Sequence, residues 1–208
     1  MSSSTSAMIF MPLLILLVAF PQFSESLYSP ALPAITQQLQ TSNNLVQWTL
    51  TSYFIGFAAG VFLWGILSDH FGRRRVTLFG LALAIGACLL CRYAINIDAL
   101  LLGRLLQGLG ASVGSVMGQT IARDSFAEPQ RHRFFSLIGT IIATAIAAGP
   151  LIGGFLTEHL GWRSNFTVLT VLTSLIMLLC CFCLPETLDA TRPQRRSLKS
   201  VLHQLGHD

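Results

Sequence analysis

The sequence predicts an all-α integral membrane protein with six transmembrane helices. Of its 208 residues, 52% are hydrophobic and 11% are charged, whereas a soluble domain usually carries about 25% charged residues. Six apolar runs alternate with short polar segments, and each run is close to the roughly 20 residues that a helix needs to cross a bilayer core. We therefore expect a transmembrane domain over residues 8–186, preceded by a short tail at 1–7 and followed by a basic segment at 187–208.

The distribution of positive charge supports this topology and sets its orientation. Ten of the 13 Lys and Arg residues lie in three segments on one side of the six spans: Arg73, Arg74, Arg75, Arg123, Arg131, Arg133, Arg192, Arg195, Arg196 and Lys199. Because Lys and Arg concentrate in short cytoplasmic loops, we expect both termini in the cytoplasm and the protein in the cell (inner or plasma) membrane. The net charge of +4 is confined to these segments, so we expect contact with the lipid bilayer and no nucleic-acid partner.

The first two spans are predicted over residues 8–28 and 46–67. Pro12 and Pro21 interrupt the first span, and membrane helices tolerate prolines where neighbouring groups satisfy the freed carbonyls. The polar residues 34–44 carry no positive charge, so we expect them to form an outer loop.

The other four spans are bounded by polar or charged turns. They are predicted over residues 76–95, 99–121, 134–157 and 164–184. Residues 122–133 are expected to form an inner loop, and Pro185 with Glu186 ends the last span. In the basic segment that follows, apolar residues recur at i, i+3, i+4 and i+7, a spacing that favours a short helix on the membrane surface.

The five cysteines lie inside apolar runs, where cysteine usually acts as a small hydrophobic residue. The topology places Cys88 and Cys91 near one membrane face, and Cys180, Cys181 and Cys183 near the other. The two groups are therefore not expected to share a metal site. We expect no metal and no cofactor.

Two ionisable residues, Glu25 and Arg104, fall inside the spans. A charge at the centre of a membrane helix costs about 2.5–3.5 kcal/mol on insertion scales, and it usually faces the bundle interior or a wet cavity and has a function. Either the two side chains pair with each other, or Glu25 reaches the outer interface, or Glu25 carries a proton. Gln107 and Gly108 follow Arg104 at i+3 and i+4, so the three share one helix face.

Five motifs together resemble the N-terminal half of a major facilitator superfamily transporter, close to the drug:proton antiporters of the Bcr/CflA type. Gly65-x-x-x-Asp69-x-x-Gly72-Arg73-Arg74 resembles the superfamily loop between helices 2 and 3. Arg104-x-x-Gln107-Gly108-x-Gly110-Ala111 resembles the proton-coupling motif of helix 4, and Gly149-Pro150-x-x-Gly153-Gly154 resembles the antiporter signature of helix 5. Tyr28-Ser-Pro30-Ala-Leu-Pro33 and Leu184-Pro-Glu-Thr187 resemble the ends of helices 1 and 6.

The chain departs from the family pattern at two positions. His70 stands where the family usually has Arg. Ser26 stands where the family commonly carries an acid two residues before the tyrosine, and Glu25 is adjacent to it. A shift of one residue turns a helical side chain by roughly 100°. Either Glu25 substitutes from a neighbouring angle, or the coupling acid lies elsewhere.

The resemblance implies a fold and a set of residue roles. The fold is one half of the transporter, built from 3+3 repeats of helices. Proton coupling is expected from Glu25, Arg104 and Gln107, and a conformational latch from Gly65, Asp69, Gly72, Arg73 and Arg74, with Asp124 placed to pair with one of the arginines. Gly149, Pro150, Gly153 and Gly154 are expected to act as a hinge or to serve packing alone, and Tyr28 and Tyr53 to line a substrate cavity or to pack.

The implied function is proton-coupled export of drugs or other small molecules. Such a transporter needs a second half with six more helices and a substrate site between the halves. The chain is then a fragment or truncated product, a half that pairs with a second chain, or a half that dimerises. A non-transporting six-helix scaffold is the alternative, and an enzyme is not expected because the sequence shows no nucleophile motif or metal-ligand cluster.

Overall fold

The computed structural model describes residues 3–186, and their side chains from residue 10 onward. Seven α-helices make up this part of the chain, with a 3-10 turn at Ser29–Ala31 after the first: α1 Ser3–Tyr28, α2 Leu32–Gln38, α3 Asn43–Phe71, α4 Arg73–Arg92, α5 Ile97–Ser125, α6 Glu128–Leu160 and α7 Arg163–Cys183. The surface helix predicted within 187–208 lies outside the described residues.

Six of these helical segments are long and apolar enough to cross a membrane, as the sequence predicts. Five are α3, α4, α5, α6 and α7, and the sixth is the continuous stretch Phe10–Gln38, which takes in most of α1, the 3-10 turn and α2. The protein is therefore an all-α, multi-pass membrane protein. We call the end of the bundle that holds Gly72 the loop face, and the opposite end, which holds Arg92 and Leu160, the far face.

Two segments predicted as loops are largely helical. Residues 34–38 of the expected outer loop belong to α2, because Pro30 and Pro33 occupy the first turns of new helical segments, where a missing N–H has no cost. The expected inner loop at 122–133 shrinks to two residues, Phe126 and Ala127, between α5 and α6. Short polar stretches between apolar runs mark the ends of the spans but not the ends of the helices, which extend beyond the hydrocarbon region.

The helices pack in a pattern with internal symmetry. The main contacts join α3 to α5, α1 to α6, and α4 to both α5 and α7. The contact of α3 with α5 joins the second span to the fourth. The contact of α6 with α1 joins the fifth span to the first, which is the equivalent pair when the first three spans are exchanged with the last three. The two sets of three helices are thus interleaved, which confirms the expected 3+3 arrangement.

Glycines allow the closest of these contacts. On α5, a Cβ added at Gly108 would overlap the carbonyl of Tyr53 on α3, and one added at Gly56 on α3 would overlap the carbonyl of Leu105 on α5. On α6, Gly153 meets the carbonyl of Leu27 on α1 in the same way. Transmembrane helices pack through small residues of this kind because backbones can then approach each other directly.

Candidate functional site

The guanidinium of Arg104 is clamped between two tyrosine rings inside the bundle. Arg104 lies on α5 and is fully buried. Its Cζ atom is 4.1 Å from the ring centroid of Tyr28 on α1 and 4.3 Å from that of Tyr53 on α3, both within the roughly 6 Å over which a cation and a ring attract each other. Three helices therefore converge on one buried charge.

Hydrogen bonds fix both rings in place. The hydroxyl of Tyr28 lies 2.7 Å from Oγ1 of Thr49, which itself donates to the carbonyl of Val46. The hydroxyl of Tyr53 donates to the carbonyl of Pro21 at 2.8 Å. Because each phenol O–H donates to a group other than Arg104, the ring faces rather than the hydroxyls contact the cation.

Gln107 links the arginine to two neighbouring helices. Nη1 of Arg104 donates to Oε1 of Gln107 at 2.7 Å. Nε2 of Gln107 donates to Oγ of Ser24 on α1 at 3.0 Å and to Sγ of Cys88 on α4 at 3.3 Å. The shared face predicted for Arg104 and Gln107 is thus the centre of a polar cluster that reaches α1 and α4. Ser24 and Cys88 were not predicted as members, because residues on different helices show no common spacing in the sequence.

Arg104 has unused hydrogen-bonding capacity and, among the residues whose side chains are described, no acid partner. Its Nε and Nη2 atoms are buried without a hydrogen-bond partner. The two ion pairs found within residues 10–186 both involve Arg73, so the direct pairing of Glu25 with Arg104 that the sequence left open is not formed here. Glu25 itself is partly buried on α1, next to Ser24 of the polar cluster.

At the loop face, Gly72 makes the turn between α3 and α4. Its φ of +93° lies in a region that side chains rarely adopt. A Cβ added there would lie 2.5 Å from Oε2 of Glu186. The sequence indicates a turn glycine at this position, and the backbone angle requires one. Gly65 lies within α3, before this turn. A Cβ added there would meet nothing within 4 Å.

Arg73 joins α3, α4 and α5 through two carboxylates. Its Nη1 atom donates to Oδ1 of Asp69 at 2.8 Å and also to Oγ of Ser68. Its Nε atom lies 3.6 Å from Oδ2 of Asp124 at the end of α5. At that distance the contact is an electrostatic attraction rather than a hydrogen bond. Asp124 thus lies beside an arginine of the loop, as its position in the topology suggested.

Glu186 is a member of this cluster that the motifs alone did not assign. Its carboxylate accepts hydrogen bonds from the backbone N–H groups of Arg73 at 2.8 Å and Arg74 at 3.3 Å. These belong to the first turn of α4, whose N–H groups have no partner within the helix, and an acid there is favoured by the helix dipole. Nη2 of Arg74 also donates to the carbonyl of Cys181 on α7 at 2.6 Å. The end of the sixth span is therefore fastened to the charged loop.

The residues predicted as a helix-5 hinge lie on α6 against α1. A Cβ added at Gly149 would lie 2.5 Å from Cβ of Ser26, and Gly153 faces the carbonyl of Leu27. Pro150 is exposed within a helix that continues through it, and Gly154 has only an ordinary contact with Pro30, at 3.9 Å. Gly149 and Gly153 bring α6 onto α1 just before Tyr28, so packing here also positions one of the rings that hold Arg104.

Comparisons with known proteins identify the family. The model of the Major Facilitator Superfamily matches residues 14–206. The chain is 34% identical over 175 residues to a protein of Rickettsia bellii (strain RML369-C) described as "Uncharacterized transporter", over 84% of this chain and 43% of that protein. It is 30% identical over 195 residues to Multidrug resistance protein D of Escherichia coli (strain K12), over 94% of this chain and 50% of that protein.

A solved structure agrees at the level of the fold. The crystal structure of a D-xylose-proton symporter superposes with a TM-score of 0.77 and 15% sequence identity, over 97% of this chain and 53% of the symporter. The chain spans about half the length of the curated relatives it matches. With six interleaved spans, a charged turn between the second and third, and a family match over nearly its whole length, this chain belongs to the Major Facilitator Superfamily.

Proposed function

We propose that this chain forms the N-terminal half of a proton-coupled antiporter that exports drugs or other small molecules across the cell membrane, with both termini in the cytoplasm. Multidrug resistance protein D of Escherichia coli and the "Bicyclomycin resistance protein homolog" of Haemophilus influenzae, 29% identical over 187 residues, are among its relatives. The names of these relatives suggest the substrate class. The coupling mechanism rests on residues of this chain.

The buried Arg104 is the observation that carries the proposal. A fully buried guanidinium with two unpartnered nitrogen atoms costs free energy that a purely structural helix bundle would avoid. The tyrosine rings hold the cation in place but leave it able to accept an anionic partner. A carboxylate that approaches Arg104 would be favoured in its charged form, and one that moves away would be favoured in its protonated form.

Glu25 is the carboxylate that we assign to this exchange. It lies on α1 one residue after Ser24, which accepts a hydrogen bond from Gln107 of the arginine cluster. A modest rotation or unwinding of α1 at Pro21 would alter the distance between Glu25 and Arg104. In this proposal Glu25 releases a proton when it approaches Arg104 and binds one when it withdraws. The hydrogen bond from Arg104 to Gln107 keeps the guanidinium in position.

The charged cluster at the loop face supplies the conformational latch. Arg73 holds Asp69 and Asp124 together, and Gly72 gives α4 its starting direction. These groups lie at the end of the bundle where a second half would close against the first. The proposed latch stabilises the state that is closed at the loop face, and rearrangement of the Arg73 ion pairs accompanies its opening.

The exposed surface of α6 supports contact with a second half. Gly139, Ala143 and Ala147 follow each other at four-residue spacing, and all three are exposed. Only 11% of the most apolar part of α6 is buried within the bundle, against 61% of that of α5. Small residues at this spacing let another helix approach closely, and lipid chains do not require them. A substrate site between the halves would place Tyr28 and Tyr53 on its inner wall, behind Arg104.

The test measures proton-dependent export. Cells express this chain joined to the second half of the Escherichia coli relative, and the accumulation of a lipophilic fluorescent cation is recorded with and without a proton ionophore. We expect the fusion to lower dye accumulation and the ionophore to restore it. The chain alone, and the fusion with Arg104→Ala, are measured in parallel as controls at matched membrane levels.

Purified protein provides the second readout. The same fusion in detergent, in weakly buffered solution with a pH-sensitive dye, should release protons when the exported cation is added. Export that the ionophore leaves unchanged would contradict proton coupling. A fusion that is present in the membrane but neither exports dye nor releases protons would favour the non-transporting scaffold instead.

A further inference from the structure

The far face carries two arginines that the transport proposal does not use. Among the Lys and Arg residues that the structure describes, Arg92 at the end of α4 and Arg163 at the start of α7 are the ones located there. The charge pattern of the sequence places nearly all other basic residues at the loop face. Two cations on the opposite side run against that pattern, so they need a separate explanation.

Both arginines line the same pocket. The pocket has a volume of about 430 Å³ and lies where the ends of α4 and α6 meet the beginning of α7. Its rim is formed by Tyr93, Ile95 and Leu160, which are 71%, 85% and 69% exposed. In a protein whose helices cross a bilayer, exposed aromatic and aliphatic side chains at the ends of the spans face the interfacial region of the lipid. The pocket therefore opens to the membrane surface.

The structure holds Arg163 rigidly at this position. Its Nη1 atom donates to Oε1 of Gln38 at 2.9 Å, and its Nη2 atom donates to the carbonyl of Ala94 at 2.9 Å. Its Cζ atom lies 4.2 Å from the ring centroid of Trp162. Nε1 of Trp162 in turn donates to Oε1 of Gln38 at 2.6 Å. None of these partners is charged, so the positive charge is fixed in place but not neutralised.

Arg92 is the more available of the two. Within residues 10–186 its side chain makes no hydrogen bond or ion pair, and its Cζ atom lies 5.6 Å from the ring centroid of Tyr93. Among residues 10–186, no Asp or Glu lines the pocket. The pocket thus offers two positive charges without an internal counterion. An arginine guanidinium matches the oxygen atoms of a phosphate group and binds them through paired hydrogen bonds.

We propose that this pocket binds the phosphodiester headgroup of an acidic phospholipid. Arg92 and Arg163 contact the phosphate, and the rim residues Tyr93, Ile95 and Leu160 pack against the glycerol and the upper acyl chains. A zwitterionic headgroup fits less well, because its ammonium group finds no carboxylate in the lining. The bound lipid joins the third span to the sixth at the far face, as Glu186 joins them at the loop face.

The test is lipid binding to the purified 208-residue chain in a non-ionic detergent, followed by native mass spectrometry. Dioleoyl-phosphatidylglycerol, dioleoyl-phosphatidylcholine and inorganic phosphate are the three probes. We expect phosphatidylglycerol to remain bound and phosphatidylcholine to be lost. Removing one arginine from a lipid-facing site weakens binding by roughly fivefold, so Arg92→Gln should weaken retention of phosphatidylglycerol by about that factor. Arg133→Gln removes the same charge from an exposed position at the loop face and is the control.

Each outcome decides the proposal. Equal retention by Arg92→Gln and the wild type, or an equal loss in Arg133→Gln, would overturn the site. Full displacement of the lipid by millimolar inorganic phosphate would show a free-phosphate site and contradict the lipid assignment. If Arg92→Gln does not remain monodisperse, Thr167→Leu replaces it, since Thr167 lines the same pocket and the larger apolar side chain fills it. Unchanged phosphatidylglycerol binding in that variant would also reject the site.

Discussion

Arg104 shows how one residue can be positioned by its neighbours without being neutralised by them. Two tyrosine rings, each anchored by its own hydroxyl, hold the guanidinium from two sides. Gln107 supplies one hydrogen bond, and two nitrogen atoms are left without a partner. A buried polar group without a hydrogen bond costs about 1–3 kcal/mol. The arrangement therefore costs stability in this state. Such a cost is expected where a binding partner later supplies the absent hydrogen bonds.

Substitution of Arg104 should separate stability from transport. Arg104→Met keeps a long side chain but removes the buried charge, so we expect a thermal unfolding midpoint no lower than that of the wild type. In the fusion with a second half, Arg104→Met and Arg104→Ala should each reduce proton-driven export by at least about tenfold, which corresponds to about 1.4 kcal/mol. Arg104→Lys tests the stacked geometry, because an ammonium group does not stack between two rings as a guanidinium does.

The measurements for Arg104 are thermal unfolding in detergent and dye export at matched membrane levels. Wild-type export by Arg104→Ala would contradict the assignment of this residue to proton coupling. A sharply lower unfolding midpoint in Arg104→Met would show that the arginine serves stability instead.

Gly72 provides a second prediction at the residue scale. Gly72→Ala places a Cβ at a φ of +93° and 2.5 Å from Oε2 of Glu186, so we expect it to destabilise the chain by about 1–3 kcal/mol. Gly65→Ala is the matched control on the same motif. It adds a Cβ in open space within α3 and should be neutral or stabilising by about 0.5–1 kcal/mol. Thermal unfolding of the two variants gives the comparison, and equal midpoints would contradict the strain argument.

At the scale of elements, close packing of α6 on α1 determines where Tyr28 lies. Gly153→Ala would force the added Cβ into the carbonyl of Leu27, and overpacking of this kind costs about 1–3 kcal/mol. Gly139→Ala is the control on the same helix, because a Cβ there meets nothing within 4 Å. We expect a lower unfolding midpoint for the first variant alone.

The Gly153 comparison also tests the two roles that the sequence left open for this motif. If Gly153→Ala keeps the wild-type midpoint but slows export, the hinge is favoured. If both stability and export fall together, packing accounts for the motif.

The ion pairs of Arg73 couple α3, α4 and α5 at the loop face. Arg73 is 14% exposed, while Asp124 and Asp69 are 27% and 52% exposed. A double-mutant cycle with Arg73→Gln and Asp124→Asn should give a coupling free energy of about 0.2–1 kcal/mol, the range for pairs in contact with solvent. The cycle with Asp69→Asn provides the comparison within the same cluster. Coupling free energies of zero in both cycles would show that these ion pairs do not stabilise this conformation.

At the scale of the whole molecule, α6 is the helix that we propose to contact a second half. On α6, Gly139, Ala143 and Ala147 form an exposed stripe of small residues. Ala143→Phe should leave the unfolding midpoint of the isolated chain unchanged, because Ala143 is exposed. It should reduce co-purification with a tagged second half by about tenfold, since overpacking of a close contact costs about 1–3 kcal/mol. Val171→Phe, at a position that is 56% exposed on α7, is the control for a bulky residue facing lipid.

Co-purification from detergent, quantified by immunoblot, checks the assembly prediction. Equal recovery of the second half with Ala143→Phe and with the wild type would place the interface elsewhere on the bundle. A self-association that Ala143→Phe abolishes in the absence of a second half would instead favour a dimer of this chain.

Much of the fold could be predicted from the sequence because membrane insertion is governed by local properties. Length and hydropathy of each run determine the number of spans, and all six are present. Span ends were less accurate: α5 and α6 continue to within two residues of each other, because helix formation does not stop where the hydrocarbon core ends. Motif order also pointed to the family that the match over residues 14–206 establishes.

The candidate site could be predicted only in part. Arg104, Gln107, Asp69 and Arg73 stood out because charged or amide residues are expensive or unusual in and between spans, and their neighbours on the same helix followed from the spacing. Glu186 and Ser24 did not stand out as members of these clusters, since each acts across more than 80 residues of sequence. The sequence leaves Tyr28 and Tyr53 either at a substrate cavity or in packing, and in this structure their rings contact Arg104.

By itself, the sequence determined how many times this chain crosses the membrane and which ionisable residues fall within the spans. Both follow from the length of each apolar run and from the cost of transferring each of its residues into lipid. Only the tertiary structure decided what surrounds the buried charge. The clamp on Arg104 requires α1, α3 and α5 to meet at one depth, and the cap on α4 requires the end of the sixth span to reach the start of the third. Those contacts depend on helix packing through close-approach glycines, whose partners lie far along the chain and leave no local pattern.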